Sequence, residues 1–194
     1  MKYFFLLILV SLSANSNGQN PQVLISTELG DIIVEVYSNK APITSANFLK
    51  YVDSDRYNNL AYFYRVVRLD NQTDKPIKIE VIQGGYYEDS IIEKHQISLI
   101  KHETTKQTGV LHKDGVISMA RIEPGTASSE FFICIGDQPE LDFGGKRNPD
   151  GQGFAAFGKV LKGMDIVRKI QQLKDNAQYL LKPIKIKSIK RIKG

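Results

Sequence analysis

Gln22-Val-Leu-Ile-Ser-Thr-Glu-Leu-Gly-Asp-Ile-Ile-Val-Glu-Val-Tyr37 holds two short apolar-rich runs on either side of Gly30-Asp31. Side chains on a strand alternate between faces, and Gly-Asp between two such runs is a hairpin signal. The same reading extends to the other end of the chain. Lys182-Pro-Ile-Lys-Ile-Lys-Ser-Ile-Lys-Arg-Ile192 interleaves isoleucine with lysine, the period of a strand with one buried and one solvated face. The lysines would also guard a sheet edge against pairing with other chains. A nucleic-acid tail would lack such regular isoleucines, so no nucleic-acid partner is expected.

Between these ends, further strands are expected over Ala61–Leu69, Ile77–Ile82, Gly115–Ala120, Phe131–Ile135 and Phe154–Val160. Pro42–Val52 reads as a helix, with Pro42 in the first turn and Phe48, Leu49 and Val52 on an apolar side. Met164–Leu173 reads as a second, with Met164, Val167, Ile170 and Leu173 along one face. Asp70–Pro76 and Gly144–Gly153 are rich in turn formers and read as surface loops. Many short strands with two isolated helices imply a mainly β protein, a barrel with helices over its ends. No repeat or linker marks a second domain.

The N-terminus reads separately. Met1-Lys2 precedes the uncharged run Tyr3–Leu12, followed by the small, polar Ser13–Gly18. One charge, a short apolar core and a small-residue exit make a secretory signal peptide over residues 1–18, leaving a single domain over 19–194. A run of about ten apolar residues is too short to span a bilayer, which needs roughly twenty. A buried N-terminal helix is the other reading. The expected mature protein is therefore exported, to the periplasm or otherwise secreted, with no stable membrane insertion. Its formal charge of +5 falls to +4 without Lys2. Cys134 is the only cysteine, which excludes an intrachain disulfide, and its apolar run Phe131–Ile135 makes it a small buried hydrophobe.

Five segments, in order, resemble the cyclophilins: Ala41-Pro-Ile-Thr-Ser-Ala-Asn-Phe48; Phe63-Tyr-Arg-Val-Val67; Ile82-Gln-Gly-Gly85; Gly115-Val-Ile-Ser-Met-Ala120 leading to Ser129-Glu-Phe-Phe-Ile133; and Phe154-Ala-Ala-Phe-Gly-Lys-Val160 with Gly163-Met-Asp165. Each is weak alone, but together they cover nearly the whole chain beyond the signal. The resemblance implies a closed eight-stranded antiparallel β-barrel capped by two α-helices, with a groove on its outer surface. It implies peptidyl-prolyl cis-trans isomerase activity on proline-containing proteins or peptides, by a monomer without cofactor. Carried over, the catalytic residues are Arg65 and Gln83. Phe132, Leu141 and Val81 form the proline pocket, Ala120 and Arg121 fall where the substrate backbone binds, and Glu130 and Phe154 complete the substrate-binding set.

These residue types suit the chemistry. Amide resonance opposes rotation with a barrier of about 18–20 kcal/mol. No bond is made or broken, so no nucleophile or metal is required. A catalyst must favour the twisted state, in which the proline nitrogen regains its lone pair, and a fixed cationic donor facing that nitrogen does so. Strand alternation puts Ile77, Ile79, Val81 and Gln83 on one side, and likewise Phe63, Arg65 and Val67 if their strand is regular. Without the resemblance, Arg65 reads as a strand arginine whose stem covers apolar surface.

The chain departs from the family in four places. Glu130 stands where glutamine is usual, placing a carboxylate near Arg65 that could pair with it. Glu140 replaces an aromatic residue, which puts binding of the family's cyclic peptide inhibitor in doubt. The Leu69–Pro76 loop lengthens the Arg65-to-Gln83 spacing by about ten residues relative to compact members, and Gly144–Gly153 is also an insertion. Both are placed to line the groove and alter substrate choice. His95, His102 and His112 lack tight metal-ligand spacing and lie in a polar segment that reads as surface. Ser128-Ser129 lies in no nucleophile elbow. The rival functions are a catalytically weakened holdase or proline-peptide binding module, and a structural envelope protein using the barrel as scaffold.

Overall fold

The computed structural model describes residues 19–86 and 98–192. The expected signal peptide and His95 lie outside them. Nine strands and three helices are present among the described residues: β1 (Gln22–Thr27), β2 (Asp31–Val36), α1 (Pro42–Asp53), β3 (Ala61–Val67), β4 (Val81–Tyr86), α2 (Thr105–Thr108), β5 (Val116–Met119), β6 (Phe131–Cys134), β7 (Ala155–Lys162), α3 (Met164–Gln171), β8 (Asp175–Asn176) and β9 (Tyr179–Ile192). A 3-10 turn covers Pro139–Leu141.

Every pairing is antiparallel, in the order β1-β2-β7-β5-β6-β4-β3-β9, and β9 pairs back onto β1. Eight strands thus close a barrel, with the two-residue β8 appended to β9. Closure leaves the barrel strands no free edge. The C-terminal isoleucine–lysine run is consequently not an edge strand. It forms the 14-residue β9, paired on both sides, with its lysines turned to solvent. Ile184 and Ile186 are two apart but Ile189 follows after three, and all are buried. A register shift against β1 at Ser26/Thr27 absorbs the odd residue, so all three face inward.

The first hairpin forms where expected, though its turn is Thr27–Gly30 and Asp31 already opens β2. Thr27 donates its N–H and its hydroxyl to the Gly30 carbonyl, at 3.1 and 2.7 Å. Gly30 has φ +141°, a conformation that favours glycine, and a Cβ there would stand 2.7 Å from the end of the Ile166 side chain of α3, which would have to shift.

Inward residues of β1, β2, β3, β4 and β6 join Phe48, Tyr51 and Val52 of α1 and Val167 and Ile170 of α3 in one core. Phe48 meets Tyr57, Phe131 and Phe157 at ring-centroid distances of 5.7, 5.7 and 5.1 Å. The two longer helices are those expected; α2 is an additional single turn. Ala41 gives α1 no side-chain cap. Its free N–H groups are met from sixty residues away instead: the buried Glu103 accepts from Ile43 N at 3.2 Å, Thr44 N at 2.6 Å and Thr44 Oγ1 at 2.7 Å.

A second, smaller apolar cluster lies on the outer face of the barrel. It contains Val67, Ile79, Val81, Phe132, Cys134 and Leu141, with Ala120 and Phe154 packed against it. Adjacent residues on β6 therefore serve different faces: Phe131 fills the interior and Phe132 the exterior cluster.

Candidate active site

The outer cluster is the floor of an open cavity of about 370 Å³. Val81 from β4, Phe132 from β6, Leu141 from the 3-10 turn and Phe154 just before β7 supply apolar walls, with Ala120 at one side. Phe132 and Phe154 meet edge to face at 5.3 Å and so form one continuous aromatic wall. Arg65 and Gln83 stand over it, and Arg121 also lines it. Eight of the nine residues expected at the site thus meet in one cavity. The ninth, Glu130, lines a neighbouring cavity that shares Gln83, Ala120 and Arg121 with the first.

Arg65 reaches the outer face through a backbone irregularity. Opposite β4, Phe63 pairs with Gly84 and Arg65 with Gln83, leaving Tyr64 as an extra residue; the register shifts at the same place against β9. Such a bulge turns two successive side chains to one side. Phe63 therefore lies in the interior, Tyr64 and Arg65 both point outward, and Val66 points inward again. Regular alternation would have put Phe63 beside Arg65, and the bulge overturns that. On β4 the alternation holds: Ile79 and Val81 share the outer cluster below Gln83, although the strand begins only at Val81 and runs on to Tyr86.

Hydrogen bonds fix the arginine. Its Nη1 donates to Gln83 Oε1 at 2.8 Å, and its Nε and Nη2 donate to Gln178 Oε1 at 3.1 and 2.5 Å. Gln178 is held at the β8–β9 turn, where its N–H donates to Asp175 Oδ1 at 2.9 Å and its amide to the Asn71 carbonyl at 3.1 Å. Burial lowers the Arg65 pKa, with the nearby phenols Tyr179 and Tyr64 opposing that shift. A guanidinium starts so high that it stays charged at neutral pH.

Glu130 does not pair with Arg65. Its Oε2 accepts from the Tyr64 hydroxyl and, at 3.1 Å, from Gln83 Nε2, which also donates to the Tyr64 oxygen at 2.8 Å. Burial raises this carboxyl to about 7, against the lowering effect of those two donors. Gly85 makes room for it, since a Cβ there would lie 2.6 Å from Glu130 Oε1. Arg121 is likewise committed inside the protein. It forks onto Asp150 at 2.8 and 2.9 Å, donates to the Gly153 carbonyl and lies over the Phe154 ring, 5.2 Å from its centroid. Its side chain is 1% exposed.

Both long loops reach the cavity, through Lys75 from the first and Arg147 and Asn148 from the second. Arg147 ties them together by donating to Gln72 Oε1 at 3.0 Å and the Ile77 carbonyl at 2.5 Å. Glu140 stays outside the cavity, accepting from Lys146 N at 2.8 Å.

Behind the slot, His112 is buried, contrary to the surface position expected of it. It stacks on Phe132 at 5.9 Å, with Nδ1 2.8 Å from Asp142 Oδ1 and Nε2 3.0 Å from Ser118 Oγ. This serine–histidine–carboxylate row is sealed: Ser118 is 0% and His112 1% exposed, so no substrate reaches the hydroxyl. Among the described residues no group of three histidine, cysteine or acidic side chains could hold a metal. Neither is there a helix long and apolar enough to cross a membrane.

Gln178, Tyr64, Tyr179, Lys75 and Arg147 were not singled out from the sequence. Tyr64 depends on the bulge, and Gln178 lies 113 residues from its partner. Only the two loop insertions hinted at Lys75 and Arg147.

A closed antiparallel barrel carrying an apolar slot and a fixed guanidinium on its outer wall defines a class of site, an apolar recess beside a cation. The family model for cyclophilin type peptidyl-prolyl cis-trans isomerases matches residues 22–191, and the chain belongs to that family. A peptidyl-prolyl cis-trans isomerase of Acinetobacter baylyi is 39% identical over 152 residues, 78% of this chain and 72% of that protein. Peptidyl-prolyl cis-trans isomerase B of Escherichia coli is 35% identical over 150 residues, 77% of this chain and 83% of its own length. Among solved structures, a cyclophilin type peptidyl-prolyl cis-trans isomerase of Cryptosporidium parvum superposes with a TM-score of 0.70 at 22% identity, covering 90% of this chain and 99% of that one. It shares the fold.

Proposed function

We propose that the protein accelerates rotation about X-Pro bonds in exported or unfolded proteins, with the proline ring in the Phe132–Val81–Leu141 slot and Arg65 facing its nitrogen. The observation that carries this is the placement of a charged, doubly anchored guanidinium over an apolar slot.

In the planar imide the nitrogen lone pair is delocalised and accepts hydrogen bonds poorly. In the twisted state it localises, and the N–H groups of Arg65 stabilise that state more than the ground state. Gln83 and Gln178 hold the guanidinium in place before substrate arrives, so little reorganisation is needed. The apolar walls anchor the ring while the preceding carbonyl swings. Each 1.4 kcal/mol or so of differential stabilisation gives about tenfold in rate. One charge-assisted contact in a partly buried groove can therefore supply a large share of the effect.

The test follows cis-to-trans conversion of a proline tetrapeptide with the protein lacking residues 1–18. Wild type should accelerate it, and Arg65→Ala should lower kcat/KM by roughly a hundredfold, with the circular dichroism spectrum unchanged. Equal rates for the two would overturn the role of Arg65. No acceleration by wild type, together with binding of unfolded chains, would favour the holdase reading. Residues 1–18 are the proposed export signal. Expression in a Gram-negative host should yield a periplasmic protein whose N-terminus lies near residue 19.

A further inference from the structure

Among the described residues, the cavity over the proline slot is lined by Arg65, Lys75, Arg121 and Arg147 and by no acidic side chain. These four cations are not equivalent. Arg121 is neutralised by its fork onto Asp150, as described. Lys75 lies 3.4 Å from Asp74, but both side chains are more than half exposed, and such a pair is weak. Among the described residues, Arg65 and Arg147 hydrogen-bond neutral acceptors alone: Gln83 and Gln178 for the first, Gln72 and the Ile77 carbonyl for the second. Each is partly buried, and the Arg147 pKa is lowered by burial and then by the charge of Arg65, against a smaller opposing effect of Asp74. Asp74, which partly offsets this, is exposed and already beside Lys75, so two guanidiniums that repel one another leave this cavity with surplus positive charge.

That charge has a direction. Arg147 is anchored at Ile77, on the approach to the start of β4, and Lys75 lies two residues earlier. Glu130 packs at Gln83 and Gly85, further along the same strand. The outer face of β4 thus runs from a cationic end to an acidic one, with Val81 and the proline slot between. A peptide laid across the slot presents the neighbours of its proline to one end or the other. We propose that Arg147, assisted by Lys75, selects proline bonds flanked by an aspartate or glutamate side chain, making carboxylate-bearing segments the preferred substrates. Arg147 lines the cavity and donates to protein acceptors through Nη1, and a guanidinium with N–H groups to spare can take a carboxylate in a charge-assisted fork. This inference rests on the isomerase reading of the cavity.

The experiment uses end-blocked Ala-Pro peptides carrying Glu, Gln or Lys at each position from two before the proline to two after it. Exchange between isomers is measured by NMR without a coupling protease, and Kd by titration of the same samples. At one flanking position kcat/KM should run Glu above Gln above Lys. The Glu-to-Gln ratio there should be roughly tenfold at low salt and shrink severalfold as added salt screens the pair. Arg147→Gln should bring the ratio close to one. Because Arg147 also joins the two loops, the exposed Lys75→Gln is measured beside it and should lower the ratio by about half. Equal values for Glu and Gln at every position, with no salt dependence, would overturn the proposal. If no peptide is accelerated the isomerase reading fails instead, and the Glu-to-Gln ratio of Kd values still decides the selection.

Discussion

At Glu130 a carboxyl is held against Tyr64 and Gln83, while among the described residues no hydrogen bond reaches its buried Oε1. Burial raises its pKa from 4.5 to about 7. In the unfolded chain the same group ionises near its ordinary value. Between about pH 4.5 and 7 the native state therefore binds more protons than the unfolded state, so stability falls as pH rises through that window. The contribution is fully present below pH 4.5 and lost above about 7, with an upper bound of roughly 3 kcal/mol. Chemical denaturation at pH 5 and pH 8 should show the decline, and Glu130→Gln should flatten it. A second prediction concerns Gln178, which touches the guanidinium rather than the slot. Gln178→Ala should lower kcat by about tenfold while KM changes little, because the ring still binds but Arg65 loses two of its three hydrogen bonds. A fall in KM-dependent binding without a change in kcat would contradict that role.

At the level of elements, what the sequence disclosed depended on how local the determinant was. The β1–β2 hairpin and the α1 and α3 helices follow from spacing within a dozen residues, and they form at nearly the expected bounds. β9 was legible as a strand, but its position was not. Pairing on both sides is a property of the closed ring, and the three-residue step from Ile186 to Ile189 was the only local trace of its bulge. The bulge in β3 left no trace, since Phe63-Tyr-Arg-Val reads as an ordinary strand. The site residues came largely from family resemblance. Gln178 and Arg147 escaped notice because their partners are distant in sequence. The cap on α1 is of the same kind. Glu103 supplies acceptors to Ile43 and Thr44, so Glu103→Ala should destabilise the protein by roughly 1–3 kcal/mol. Glu103→Gln should recover part of that loss, because one amide oxygen can still accept. Thermal melts of the three proteins would separate the two effects.

For the whole molecule, the barrel wall divides folding from binding, and β6 places one residue type on each side of it. Phe131 is 0% exposed in the interior, edge-on to Phe48, Tyr57 and Phe63 at 5.7–5.8 Å. Phe132, its neighbour in sequence, is 4% exposed and forms the slot against Phe154 and His112. Removing the interior ring opens a cavity that the closed barrel cannot collapse around, so Phe131→Ala should lose roughly 3–5 kcal/mol. The proposed catalytic groups sit outside, so the fraction that remains folded should isomerise proline peptides at close to the wild-type rate. Phe132→Ala should do the reverse. The slot is already open to solvent on one side, so the stability loss should be smaller, roughly 1–3 kcal/mol. The substrate ring, in contrast, loses its main wall, and KM should rise about tenfold or more, since burying a ring against an aromatic face contributes a few kcal/mol. Denaturant midpoints paired with kinetics on the same two variants would read both quantities. A Phe131→Ala protein that is stable but inactive would show that the interior sets the geometry of the groove, and that the wall does not insulate one side from the other.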